Sequence, residues 1–475
     1  MRLFILGVTV TVLTACAVGP NFKRPQSPAS DRYTATDLPS SFASGANVPY
    51  AWWKVYRCPP LDALVESALQ GSPTVQAAQA ALRQANELLK AQRAVLFPTL
   101  LASYSPTRER NAVGTLAPTL SSAQPLFTLQ TAQVSVSYML DVFGGNRRQI
   151  ESAQAQADTQ RFDLEAAYLT LTSNIVAAAI QEASLRAQIE ANEAIVRSER
   201  DGLDILNKQL SLGSIAQTAV MAQQAALAAA EAQLPPLRKQ LAIQRDLLAV
   251  LAGRSPGEPP SQTFELSALT LPTDLPVSLP SALVRQRPDV LSAEEQLHYA
   301  SAQVGVAIAD MLPQINLLAT YGGASTGLST LLASGNTFWS AGASLSQTLF
   351  AGGALWHHKL AADAALDEAG AEYRTVVLTA LQNVADTLNA LQFDDEAVAA
   401  DERADQAARA SLVASRASLT QGSITYLDLL NAEQAQSLAI SNLEQARGSR
   451  LADTAALFVA LGGGWWNRSD PAPQR

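Results

Sequence analysis

Apolar residues recur every seven positions at Val220, Leu227, Leu234, Leu241 and Leu248, with Ala230, Leu237 and Leu251 three places after members of that series. This spacing puts one apolar stripe on a helix that winds against a neighbour, so 212–251 predicts a coiled-coil helix. Pro235-Pro236 interrupts the stripe and predicts a kink, because proline lacks the intrahelical donor and clashes with the preceding turn. Earlier in the chain, Leu61, Leu64, Val65, Ala68 and Leu69 mark one amphipathic face. The Gly71-Ser72-Pro73 break starts a second helix that continues past Leu88 and Val95 until Pro98 stops it.

The period then drops to two. Val134, Val136, Tyr138 and Leu140 alternate with Gln133, Ser135, Ser137 and Met139, which predicts a half-buried strand, and 98–104 reads as its partner across a Pro- and Thr-rich loop. The same pattern returns at 315–321 and 339–350 around a Gly/Ser/Thr loop, with Ala341, Ala343 and Leu345 on one face and Gly342, Ser344 and Ser346 on the other. After each hairpin a helix of about sixty residues, roughly 90 Å, begins near Arg147 and near His358.

The chain repeats itself. The turns Leu212-Gly213-Ser214-Ile215 and Gln421-Gly422-Ser423-Ile424 stand 209 residues apart, while Phe97-Pro98 and Leu312-Pro313 are offset by 215. A chain of 475 residues that repeats at half its length is one unit duplicated. The predicted organisation is a signal (1–15), a Pro/Ser-rich tether (16–60) ending in the packed pair Trp52-Trp53, a first repeat (61–253, hairpin about 98–141), a connector (254–280), a second repeat (281–464, hairpin about 314–350) and a tail (465–475). The connector reads as a segment wrapping the helices at mid-height, with a short strand hinted at 264–266.

Four strands per chain cannot close a barrel and would leave bare edges. Alternating strands of about ten residues suit a transmembrane barrel, and no internal apolar run is long enough for a helical span. Three chains pool twelve strands, enough to close around a pore, although the count by itself also admits two or four chains. The fold class predicted is therefore an α+β membrane protein, a trimeric twelve-stranded barrel continued by long helices.

Composition adds bounds. Apolar residues make up 48% of the chain and charged ones only 16%, and the net charge of −9 argues against nucleic acid as a partner. Gly323-Ala324-Ser325-Thr326-Gly327 matches the serine-elbow pattern, but that motif needs strand, turn and helix, and a Gly/Ser/Thr loop follows here. His357 and His358 point about 100° apart on a helix and chelate poorly; with His298 they are the only histidines. No cofactor fingerprint or metal cluster is present, so no catalytic or metal residue is assigned. Cys58 reads as a buried or stray thiol without a function.

The N-terminus, Arg2, an apolar run from Leu3 to Val12 and Leu13-Thr14-Ala15-Cys16, resembles a bacterial lipoprotein signal. That resemblance implies cleavage before Cys16, lipid on its side chain and, because Ala17 rather than aspartate follows, sorting to the outer membrane. Val18-Gly19-Pro20-Asn21-Phe22-Lys23-Arg24-Pro25, Trp52-Trp53, the duplicated helix-hairpin-helix unit and the closing Ala460-Leu461-Gly462-Gly463-Gly464-Trp465 then resemble a TolC-like outer-membrane efflux protein of the lipoprotein (NodT/OprM) branch. The resemblance implies a homotrimer spanning outer-membrane lipid, with a periplasmic helical barrel that docks on a periplasmic adaptor and an inner-membrane pump of the RND type. Such a channel is a passive exit duct without a cofactor.

It also implies a gate beyond the second glycine turn. The family's axial acidic positions, three residues apart, fall on Asp428 and Asn431, so one ring would be acidic and the other neutral, and Leu427 would add an apolar constriction. Ala219 stands at the first-repeat equivalent of Asp428 and cannot form a polar latch. The turns Gly213-Ser214 and Gly422-Ser423 would be the tips for adaptor docking. The competing readings are a lipid-anchored periplasmic coiled-coil adaptor or scaffold, which should carry one helical hairpin rather than two copies of the unit, and a lipid-anchored hydrolase.

Overall fold

The computed structural model describes residues 17–26, 32–34, 42–44, 47–110, 126–271 and 275–468. In chain order the elements are β1 (Phe42–Ser44), α1 (Pro59–Gly71), α2 (Pro73–Arg93), β2 (Thr99–Arg110), β3 (Leu126–Leu140), α3 (Gly145–Ser211), α4 (Gln217–Leu251), β4 (Leu275–Val277), α5 (Pro280–Leu283), α6 (Pro288–Ala309), β5 (Gln314–Ser325), β6 (Thr337–Ser346), α7 (Ala354–Thr420) and α8 (Tyr426–Ala460). The duplication is carried into the geometry. Helices α3 and α7 each have 67 residues and α4 and α8 each have 35, and each pair starts 209 positions apart, at 145 and 354 and at 217 and 426.

The chain divides into two compact units. One holds residues 1–24, 84–159 and 294–372 and contains the sheet. Its strand order is β2-β3-β5-β6, antiparallel throughout, so each repeat gives one hairpin and the hairpins join through β3 and β5. β2 and β6 are the free edges among the described residues. Gly322 allows the close join of the hairpins, since a Cβ there would meet the Ala132 carbonyl at 2.5 Å. The strands are longer than alternation predicted in the first repeat, reaching Arg110 and starting at Leu126, while residues 111–125, where the sequence predicted a loop, lie outside the described residues. In the second repeat the strand ends at Ser346, not at 350, because Gln347 turns its side-chain amide onto the Met311 carbonyl and the chain leaves the sheet. Asp141 accepts from the backbone N–H groups of Asn146 and Arg147 at 3.0 and 3.1 Å, satisfying donors that open α3.

The other unit holds 25–83, 160–293 and 373–475. Trp52 stacks on Phe458 with ring centroids 5.7 Å apart, and Trp52, Trp53 and Tyr56 are buried. Leu61, Leu64, Val65 and Ala68 form the buried face of α1. In α4 the seam residues Val220, Leu234 and Leu248 are buried and Leu227, Leu237 and Leu241 half-buried. The helix continues through Pro235 and Pro236. Both prolines are exposed, and so are Glu231 and Ala232, whose carbonyls lose their helical donors and face water instead. The short strand predicted at 264–266 is not there: Phe264 and Leu266 are apolar because they are buried, and the connector's strand is β4, which pairs in parallel with β1 of the tether. Cys58 is buried and precedes the first residue of α1, and burial pushes its thiol up.

Candidate functional site

The two helical turns at the ends of α3 and α7 are built identically. Gly213 donates to the Leu210 carbonyl at 2.9 Å and Ser214 to that of Gln209 at 3.0 Å; Gly422 donates to Leu419 at 3.0 Å and Ser423 to Ser418 at 3.0 Å. Each is a Schellman ending, which closes the last carbonyls of a helix only if the residue after the cap is left-handed. Gly213 and Gly422 both have φ of +72°, and nothing lies within 4 Å of a Cβ built on either, so backbone strain rather than space selects glycine. The hydroxyls of Ser214 and Ser423 add bonds to the same Gln209 and Ser418 carbonyls at 2.8 and 2.9 Å.

The return helices start differently. Ala216 precedes α4 and offers no side-chain cap. Thr425 precedes α8 and forms a capping box with Asp428: the Asp428 N–H donates to Thr425 Oγ1 at 3.3 Å, and Asp428 Oδ2 accepts from the Thr425 N–H at 2.9 Å and from its hydroxyl at 2.6 Å. These bonds from Thr425 hold the Asp428 carboxyl below its ordinary value. Leu427, Asp428 and Asn431 are exposed on one side of α8, while Leu429 and Ala432 turn inward with Leu412 of α7, flanked by Leu419 and Tyr426. The side of α8 that bears the three residues singled out by resemblance is thus exposed to solvent among the described residues.

A second cluster joins α3, α4, α7 and α8. Gln223 of α4 is fully buried and donates through Nε2 to the Glu199 backbone oxygen at 2.8 Å and to its carboxylate at 2.6 Å. Next to Glu199 on α3, the Ser198 hydroxyl donates to Glu433 of α8 at 3.0 Å, and Arg416 of α7 reaches the same carboxylate oxygen at 3.1 Å. Burial raises the Glu199 carboxyl against the opposing bond from Gln223, and the charge of Glu433 adds to the rise. Burial, with Glu433 and Glu199 nearby, pushes the Tyr426 hydroxyl up to about 12. Gly202 makes room for that hydroxyl, since a Cβ there would meet it at 2.0 Å. The signal was present: Gln223 follows Val220 by three, a seam position where a polar residue specifies register.

The remaining sequence candidates stay apart. Ser325 ends β5 and its hydroxyl pairs with Thr330 at 2.7 Å in a turn, with no nucleophile-bearing helix following. His357 and His358 are exposed at the start of α7, whereas His298 stacks on Phe22 and bridges Glu151 and Glu295 at 3.0 and 3.2 Å. Cys16 lies outside the described residues. No helix among the described residues is long and apolar enough to cross a membrane, which leaves a β-barrel untouched.

The model of the outer membrane efflux protein family matches residues 64–254 and 279–463, most of the chain. The chain belongs to the outer membrane efflux protein family. It is 30% identical over 417 residues to the pyoverdine export outer membrane protein OpmQ of Pseudomonas putida, covering 87% of this chain and 88% of that one. It is 26% identical over 461 residues to nodulation protein T of Rhizobium leguminosarum bv. trifolii, covering 96% of each. A solved structure of the outer-membrane channel OprN superposes with a TM-score of 0.85 at 27% identity, covering 95% of this chain and all of that one. An outer membrane efflux protein with this fold is a subunit of a trimeric channel with four barrel strands per chain, which displaces the adaptor and hydrolase readings.

Proposed function

We propose that three copies of this chain form the outer-membrane exit duct of a tripartite efflux system, passing drugs or other small molecules from an inner-membrane pump of the RND type and a periplasmic adaptor to the outside. The observation that carries the reading is one four-stranded sheet, built from two copied hairpins and left open at β2 and β6, joined in the same chain to two copied pairs of long helices. Lipid on Cys16 anchors the tether. The glycine turns at 213 and 422 are the tips that meet the adaptor, a reading supported by the exposure of Leu212, Ser214 and Ser423.

In this reading Asp428 supplies the single acidic ring of the closed pore, Asn431 a neutral ring one turn on, and Leu427 the apolar constriction. The capping box supports it by holding the Asp428 carboxylate ionised and oriented. Three such carboxylates around an axis favour cations over anions and bind multivalent cations. Relatives are named for pyoverdine export and for cation efflux, different cargoes on one fold, as expected where the pump does the choosing.

The test is conductance in planar bilayers. Asp428→Ala removes charge and cap together, whereas Asp428→Asn removes the charge and keeps a side-chain acceptor. Both are expected to lower cation selectivity and relieve block by trivalent cations about tenfold. Unchanged block in Asp428→Asn would take Asp428 out of the gate.

A further inference from the structure

The sheet registers place two exposed apolar segments beside the free edges of the sheet. Thr99 pairs with Ser137, Leu140 with Ile315 and Gln314 with Ser346, so β2 starts and β6 ends at the same end of the sheet, the end from which α3 and α7 depart. β2 and β6 are also the two free edges. When copies join edge to edge, the residues that lead into β2 of one copy therefore come beside the residues that follow β6 of the next.

Those residues are large, apolar and uncovered. Leu96 and Phe97 before β2 are 41% and 71% exposed; Leu349 and Phe350 after β6 are 93% and 87% exposed, and Trp356 in the first turn of α7 is 55% exposed. Apolar surface of that extent on successive residues marks a contact surface. Lipid tails are an unsuitable occupant, because charged groups share the level: Arg93 bonds Gln154 beside the first segment, and Lys359 lies over the Trp356 ring at 5.9 Å while pairing with Asp363 at 2.5 Å.

We propose that Leu96 and Phe97 of one copy pack against Leu349, Phe350 and Trp356 of the next, forming an apolar collar that seals the subunit seams where the barrel passes into the helices. The proposal rests on the trimeric channel reading, and its occupant is a second copy of this chain. It makes the seam continuous from the hydrogen-bonded strand edges into side-chain packing, so that water has no lateral path into the duct at the level where strand pairing stops.

The test uses the full-length protein in the outer-membrane fraction, with Cys58 replaced by serine. Phe97→Cys with Leu349→Cys, and separately Leu96→Cys with Phe350→Cys, are oxidised and run on a denaturing gel without reductant. Covalent dimers and trimers are expected from the double variants and absent from each single variant. Phe350→Ser is expected to lower the temperature at which the detergent-resistant trimer dissociates, while Leu212→Ser, beside the Gly213 turn, leaves it unchanged. The mass of the solubilised protein is measured first. A monomeric mass overturns the channel reading; a trimeric mass with neither double variant cross-linking, or equal shifts from Phe350→Ser and Leu212→Ser, overturns the collar alone.

Discussion

Nη2 of Arg148 donates a 2.7 Å hydrogen bond to the side-chain oxygen of Asn21, tying α3 to the segment that follows Cys16. The same guanidinium reaches the carbonyls of Val18, Ala17 and Gly19 at 3.0, 3.5 and 3.4 Å and pairs with Glu151 at 2.7 Å, while the Val18 N–H bonds the Phe143 carbonyl. Gly305 is what lets this arginine lie flat, since a Cβ there would meet its Cγ, Cδ and Nε within 2.9 Å. Farther along, Phe22 stacks on His298 and Arg24 pairs with Glu294, so the strap is pinned at three points. Arg148→Met removes the buried guanidinium that bonds Asn21 and the Val18 carbonyl and should cost about 2 kcal/mol. Limited proteolysis is expected to cut the strap near residue 20 in the variant and not in the parent.

The capping box predicts a pH dependence confined to the start of α8. Asp428 is held below its ordinary value by Thr425, so the stabilisation it provides is present above the unfolded value, near 4, and is lost as pH falls through the lower folded value. The protection factor of the first turn of α8, hydrogen exchange taken relative to the intrinsic rate at each pH, should fall below about pH 4 in the parent, and Thr425→Ala should cost about 1 kcal/mol at neutral pH. The start of α4, which has no cap at Ala216, should show no such acid step.

Gly202 and Tyr426 set how closely α8 approaches α3. Gly202→Ala forces the phenol away, an overpacking that typically costs about 1–3 kcal/mol. The variant is expected to raise resting conductance and uptake of large antibiotics, because the start of α8 shifts with Tyr426. Adding Tyr426→Phe, which deletes the clashing oxygen, should return conductance most of the way to the parent; no recovery would separate Gly202 from the position of α8.

Asp394 of α7 faces Asp453 of α8, and burial first, then that neighbour, pushes it up to about 6. A carboxyl raised in this way contributes stability that is fully present below its unfolded value and is lost as pH rises from about 4 through about 6. The helix pair should therefore be tighter at pH 5 than at pH 7, read as a higher dissociation temperature of the trimer. Asp394→Asn is expected to flatten that difference and leave the acid response of Asp428 intact.

What the sequence determined by itself is everything set by short-range periodicity and by the duplication. The seven-residue stripe on 220–248 and the alternation on 133–140 are local facts of side-chain geometry, and Gly213 and Gly422 announce left-handed turns that few other residues adopt cheaply. Local patterning left other points undecided. Phe264 read as a strand because apolar residues mark burial and pairing alike, and only the tertiary contacts separated a buried side chain from the paired strand at Leu275–Val277. The resemblance, not local patterning, implied an axial role for Asp428, and the fold adds a local bond to Thr425 that orients its carboxylate. The cluster of Ser198, Glu199, Gln223, Arg416 and Glu433 draws on four helices at separations up to 235 residues, and the strap of residues 17–24 reaches Arg148 of α3 and His298 of α6 at separations up to 276. Such arrangements depend on how helices stack after the chain has folded back on itself, and a polar residue can be placed in a buried network only once the partners that satisfy it are known.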